Sequence, residues 1–392
     1  MASLLPVDEA RRLILERARP LPAEPVRLGE AVGRVLAESA RSTVDLPPFP
    51  SSAMDGFALR AADAPGRLSV VARIAAGRPA PGPLEPGEAM GIATGGVVPE
   101  GADAVIPIEV VAEDGDTVEV PAVEPGAHVR PRGGDLAEGS VVVDAGTILR
   151  PAELAALGAA GLAEVACARR PHVALVTTGS ELRRPGEPLE AGQIFEANGV
   201  MLAAAIASAG ALVEAQVSVA DDEQEHRGAL ERGLEADVLV TSGGVSVGPH
   251  DLVRRIESEL GVEEVFWRVA VKPGKPISFG VRGATLVFGL PGNPVSSLVC
   301  FELFVRPALL ALQGAREPGP GFHAGVLAKS VRRNGQRDEF LRARLNGDEL
   351  EPLSGQESHM IARAAAADAL VLAPRGDGEL AAGSRVRYLL LR

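Results

Sequence analysis

A short apolar run that ends in a cluster of glycines limits this chain more than any other stretch. It reads Ala236-Asp-Val-Leu-Val-Thr-Ser-Gly-Gly-Val-Ser-Val-Gly-Pro-His-Asp251. Val238, Leu239 and Val240 form a continuous apolar segment bounded by turn residues, the pattern of a strand buried on both faces of a parallel sheet. Gly243, Gly244 and Gly248 supply a loop that a ligand can approach closely. Asp251 stands near the N-cap of a helix expected over 251–260. A glycine loop between a strand end and a helix N-terminus presents N–H groups and a positive dipole end, which suits phosphate. A carboxylate at Asp251 repels phosphate but can hold Mg²⁺ or a ligand hydroxyl. The glycines alone fit an empty strand–turn–helix crossover equally well.

The rest of the chain arranges itself around that unit. An amphipathic helix is expected over 7–18, with Ala10, Leu13, Ile14 and Ala18 on one side, and Pro20, Pro22 and Pro25 end it. Residues 30–38 read as a short linking helix or turn. Between about 68 and 129 the composition turns to Val, Gly and Pro, with a hairpin around Asp114-Gly115. A helix opens at Pro151. From His172 strands alternate with helices, the signature of a doubly wound sheet, and a long apolar helix runs from Pro294 to about Leu312. Ligands of such sheets gather beyond the carboxyl ends of the strands, where the loops 177–181, 241–251 and 290–294 would lie. Beyond 320 the pattern changes to a small β domain, with an Asn346-Gly347 turn between two strands and a last strand over 385–391.

Composition narrows the chemistry. The 392 residues carry a net charge of −13, which argues against nucleic-acid binding by phosphate neutralisation. Two cysteines, Cys167 and Cys300, give no disulfide framework and fit a reducing, cytoplasmic setting, and the six histidines show no zinc spacing. Charges interrupt the N-terminal apolar residues, so no signal peptide is expected, and no stretch reads convincingly as a membrane span. The sequence has no G-x-x-x-x-G-K-[ST], G-x-G-x-x-G or H-E-x-x-H. Only three lysines occur, and Lys272 and Lys275 lie together in Val271-Lys-Pro-Gly-Lys-Pro276. In a chain that otherwise uses Arg, this suggests a compact ammonium is wanted there. Phosphate-friendly loops, two lysines and scattered carboxylates (Asp55, Asp135, Glu181, Asp222, Asp251) fit Mg²⁺-assisted chemistry on a phosphorylated or nucleotidyl ligand.

Five segments in one order carry a resemblance. They are Pro47-Pro-Phe-Pro-Ser-Ser-Ala-Met-Asp-Gly-Phe-Ala58, Thr178-Gly-Ser-Glu-Leu182, Thr241 to Asp251, Lys272-Pro-Gly-Lys-Pro276 and Leu290-Pro-Gly-Asn-Pro-Val-Ser296. Together the chain resembles the MoeA/gephyrin E-domain family, the molybdopterin molybdenumtransferases. The resemblance implies a multidomain α/β plus β fold. Its parts would be a discontinuous linking region at 1–42 and 137–168, a β-rich module at 43–136, a molybdopterin-binding α/β domain at 169–318 and a C-terminal β-barrel at 319–392. It implies molybdenum insertion into adenylylated molybdopterin with release of AMP, assisted by Mg²⁺. Its alternatives are the related adenylylation of molybdopterin and a non-enzymatic scaffold.

The resemblance also implies a homodimer whose site is shared between subunits, with transient contact to the molybdopterin adenylyltransferase. Gly243, Gly244, Ser246, Asp251, Pro291, Gly292 and Asn293 would hold molybdopterin. Glu181, Asp222 and Asp251 would serve the metal, and Lys272 and Lys275 the phosphate or oxyanion. Asp55, Thr94 and Asp135 would come from the partner subunit, while Arg337 and Arg342 would help with the anion. The chain departs from the family at Pro50-Ser51 and Phe57, where Asp-Asn and Tyr are usual. It departs again at Arg268, where Lys is common, and at Ile361-Ala-Arg-Ala-Ala365, where a Ser-rich run is usual.

Overall fold

The computed structural model describes residues 4–244 and 252–391. At its centre lies a six-stranded sheet in the order Leu212–Val219, His172–Thr178, Val238–Ser242, Thr285–Leu290, Ser278–Arg282, Glu263–Trp267. The first four strands are parallel, Ser278–Arg282 runs antiparallel to them, and Glu263–Trp267 pairs antiparallel with Ser278–Arg282. Val238, Leu239 and Val240 are fully buried, because helices cover both faces. On one face Leu202 and Ile206 pack with Phe301, Phe304 and Leu309. On the other, Ala229 and Leu230 pack with Val253 and Ile256. The sheet is doubly wound.

The α-helices before the long apolar one are α1 (Val7–Leu15), α2 (Pro151–Ala159), α3 (Asn198–Ser208), α4 (Glu223–Gly233) and α5 (Leu252–Glu259) among the described residues. α1 stops at Leu15, and its Val7, Ala10 and Ile14 join the core of the α/β layer. The Pro294–Leu312 helix is long and apolar enough to cross a membrane, but 72% of that window is buried inside the fold. It is the core helix of the α/β layer, and Phe301–Val305 form a π turn at its middle just before Pro307.

The N-terminal part contains a separate six-stranded sheet, ordered Ala104–Pro107, Gly56–Leu59, Glu88–Ile92, Gly66–Ile74, Thr117–Val120, Ala112–Asp114. Phe57, Leu59, Leu68, Ile106 and Val118 form its own core. The Asp114-Gly115 hairpin forms as its turn residues dictate. Residues 23–27 pair with 164–168, and Val26, Leu36, Leu149 and Leu157 make a further small core around α2.

At the C-terminus the strand Asp338–Asn346 pairs with Glu349–Pro352 on one side and Ala369–Ala373 on the other. His323–Leu327 and Arg385–Leu390 complete the ring, so five strands close into a barrel. Closure removes the exposed edges that a small sheet would leave. One two-residue strand of the α/β part, Val271–Lys272, adds in parallel to Asp338–Glu339 and ties the lysine loop to the barrel.

Candidate active site

The three loops expected on one rim do meet. Thr177–Leu182, Ser242–Gly244 and Pro291–Pro294 line a cavity of about 610 Å³ at the carboxyl ends of the parallel strands. Parallel strands place their outgoing loops on the same edge, so sequence-distant glycine loops converge there. The backbones come close: a side chain at Gly292 would touch Gly243 Cα. Gly243 has φ +100, and a Cβ there would stand 2.6 Å from Thr178 O. Only glycine fits that position. Ser246 and Asp251 lie outside the described residues.

Other segments complete the wall. Leu182–Arg183 pairs with Ile194–Phe195 to make a small flap, and Ile194 and Phe195 line the cavity while remaining exposed. Glu196 and Asn198 follow at the start of α3. The buried Glu196 carboxylate accepts the Gly199 N–H at 2.7 Å, so that helix end is already occupied by a protein anion. His359, from the C-terminal part, closes one side.

The carboxylates sort themselves by geometry. Glu181 lies on the wall. Asp222, expected at the metal, instead caps α4: its Oδ1 accepts the Glu225 N–H at 2.9 Å. Its neighbour Asp221 is the one on the cavity wall. Asp221 is held there by Ser180, whose Oγ donates to Oδ2 at 3.1 Å and accepts the Asp221 N–H at 3.0 Å. A helix beginning at Glu223 claims the nearer aspartate, which leaves the farther one to face the loops. Glu181 and Asp221 give the cavity two exposed hard-oxygen donors. Among the described residues no group of three His, Cys, Asp or Glu side chains converges on a metal position. Two carboxylates with substrate phosphate and water are a donor set that Mg²⁺ accepts.

The cations lie at the seam with the barrel. Lys272 Nζ pairs with Glu339 Oε1 at 2.8 Å, because the added strand sets the two side by side. Lys275 is exposed and has no ion-pair partner among the described residues; the next residue, Pro276, lines the cavity. Arg337 is half-buried, and its N–H is fixed by Asn334 Oδ1 at 3.0 Å. Arg268, at the usual lysine position, stacks its guanidinium 3.6 Å from the Trp267 ring centre.

Arg342 corrects an expectation. It is 1% exposed, and its guanidinium is spent on the carbonyls of Gly355, Glu357 and Met360. Burial holds it below the usual guanidinium range. It is not among the residues that line the cavity, and its bonds hold the 353–360 loop. That loop in turn grips the rim: Asn293 Nδ2 donates to Ser358 Oγ at 2.9 Å, and the Val295 N–H donates to Ser358 O at 3.1 Å.

Asp55 and Thr94 are brought together on the β-rich sheet, away from this wall. The Asp55 Oδ1 accepts from Thr94 N at 2.6 Å and from Thr94 Oγ1 at 3.0 Å, and these bonds hold the carboxyl below its usual range. Asp135 is exposed, with its N–H bonded to Leu46 O.

Comparison with known proteins fits this geometry part by part. Residues 5–161 match the MoeA N-terminal region (domain I and II), 174–311 a probable molybdopterin binding domain, and 324–391 the MoeA C-terminal region (domain IV). Molybdopterin molybdenumtransferase 2 of Mycobacterium tuberculosis is 38% identical over 97% of this chain and 98% of its own length. The chain belongs to the MoeA family. Another MoeA-family relative, the molybdopterin molybdenumtransferase of Haemophilus influenzae, is 34% identical over 98% of both chains. A crystal structure of the molybdopterin biosynthesis moeA protein from Pyrococcus horikoshii OT3 superposes with TM-score 0.87 at 31% identity, covering 99% of this chain and all of that one. The MoeA architecture thus accounts for all three parts, including the closed C-terminal barrel.

Proposed function

We infer that this chain is a molybdopterin molybdenumtransferase, which inserts molybdenum into adenylylated molybdopterin and sets AMP free. The observation that carries the reading is the cavity itself. Glycine loops from three strand ends allow close approach, two carboxylates stand on the wall, and Lys275, with no ion-pair partner among the described residues, immediately precedes the wall residue Pro276. Molybdate is a dianion, and a compact ammonium at Lys275 offsets its charge without imposing a planar geometry. Lys272 shares its charge with Glu339 and fixes the position of the lysine loop against the barrel.

The chemistry balances. Two Mo–S bonds form as one oxide leaves molybdate as water, taking two thiol protons. An oxygen from water adds to phosphorus as the P–O bond to AMP breaks. Glu181 and Asp221 are the residues that would hold Mg²⁺, which would supply charge neutralisation at the phosphates when bound. Gly243 and Gly292 let the backbone lie against the pterin side. The full-length likeness, flanking modules included, favours this reaction over adenylylation of molybdopterin or a pure scaffold.

The site is shared between two copies of the chain in a homodimer, with Asp55, Thr94 and Asp135 supplied by the partner. What supports this is that the Asp55–Thr94 pair is exposed and preformed, yet lies off the cavity wall of its own chain. The adenylyltransferase that makes the substrate is a transient partner, and the setting is cytoplasmic. Mixing tests the sharing. Asp55→Ala and Lys275→Ala should each be inactive alone, but dimers exchanged between them should regain activity, because one site in each mixed dimer is intact. No recovery on exchange would place each site within a single chain.

A further inference from the structure

Under the cavity floor runs a short buried chain of hydrogen bonds, and Asn198 starts it. Asn198 is the first residue of α3 and is 9% exposed. Its Nδ2 donates to Ser242 Oγ at 2.9 Å and to Gly292 O at 2.7 Å. Gly292 O can only accept, so the orientation of the amide is fixed. Ser242 Oγ, having accepted, is left to donate to Ser297 Oγ at 3.3 Å or Pro291 O at 3.5 Å, and Ser297 Oγ donates to Pro291 O. The carbonyls of Gly292 and Pro291, which only accept, fix the donors at the two ends of the chain.

The geometry points to Asn198 as a positioning residue for this enzyme, one that sets the distance between the Gly243 loop and the Gly292 loop. A side-chain amide offers two donors on one uncharged nitrogen, and both are used to join two loops whose backbones already abut. The cost is visible in the same residue. Asn198 Oδ1 is buried with no hydrogen-bond partner among the described residues. A buried orphan acceptor is expensive, and one kept beside a cavity is explained when the donors of the same amide are needed there. A second amide makes a natural comparison. Beyond the far end of α3, Gln313 Nε2 also donates to two carbonyls, Ala209 O and Leu309 O, both at 2.9 Å, in a place remote from the cavity.

The inference rests on the proposed function only for its ligand. The experiment measures the affinity of full-length enzyme for adenylylated molybdopterin, its KM and kcat in AMP release, and its Tm. The proteins are wild type, Asn198→Ala, Asn198→Asp and Gln313→Ala. Asn198→Ala should bind about tenfold more weakly and show a raised KM, as expected when a donor to a ligand-bearing loop is lost. Asn198→Asp, which is isosteric but sets a carboxylate against Gly292 O, should bind no better than the alanine variant. Gln313→Ala should lower Tm with affinity and KM unchanged. Equal affinity of wild type and Asn198→Ala, with Tm lowered as in Gln313→Ala, would overturn the positioning role. A wild type that binds the substrate but releases no AMP would overturn the functional reading and leave the affinity comparison to decide the role of Asn198.

Discussion

Asp221 and Asp222 are chemically identical neighbours with different work, and only their backbone placement separates them. Asp222 caps α4 through the Glu225 N–H, while Asp221 is turned to the cavity and tied to Ser180. Asp222→Ala should cost about 1 kcal/mol of stability, as a lost N-cap does, with AMP release unchanged once the protein is folded. Asp221→Asn should leave Tm near wild type and reduce AMP release at limiting Mg²⁺. Parallel melting and AMP-release assays check both, and the reverse pattern would return the metal role to Asp222. The resemblance pointed to Asp222, and in sequence a carboxylate preceding a helix looks equally good as cap or ligand. The glycines were more readable. Gly243 and Gly292 stand where backbones meet, and Gly274 in the lysine loop has φ +119 with Cys300 Sγ beneath it, where a Cβ would lie 2.5 Å away. Arg342 was misjudged since nothing local marks an arginine as buried. Its partners are carbonyls of a loop more than ten residues later.

Among the elements, the alternating strands and helices of 172–312 were legible because each is long enough to show its period. The cavity rim followed from that alternation. The Val271–Lys272 strand and the flap of Leu182–Arg183 with Ile194–Phe195 were not legible: two residues carry no period, and their pairing is decided by distant partners. The start of the α/β layer rests on one such distant tie. Arg169 forks onto Asp237 at 2.8 and 2.9 Å, and the His172 N–H donates to the same carboxylate at 2.7 Å. Burial alone would raise the Asp237 pKa, but the Arg169 and His172 hydrogen bonds outweigh it and hold the carboxyl below its ordinary value. A depressed carboxylate contributes stability above its unfolded pKa of about 3.9 and loses it as pH falls through the lower folded value. Asp237→Asn should therefore melt below wild type at pH 7, by about 1–3 kcal/mol for a broken charge-assisted bond. The difference should shrink as pH drops below about 4. Melting curves across pH check this, and a difference constant down to pH 2 would mean that the charge on Asp237 is not what matters.

At the scale of the whole molecule, the family's parts lie in the order its motifs suggested, and the barrel closes as expected. Asp55 and Thr94 form a preformed acid–hydroxyl pair that is not on the wall of this cavity, and the homodimer proposed above would bring a partner's pair to it. The carboxylates of that cavity and the lysines near it belong to different loops, and the lysine loop is tied to the barrel through Lys272 and Glu339. The most direct test is AMP release from adenylylated molybdopterin with Mg²⁺, measured with and without molybdate, on wild type and Asp55→Ala. Release that depends on molybdate in wild type, and is lost in Asp55→Ala while the substrate still binds, is the result this account predicts. Release at the same rate without molybdate, or none from a substrate that binds well, would contradict it.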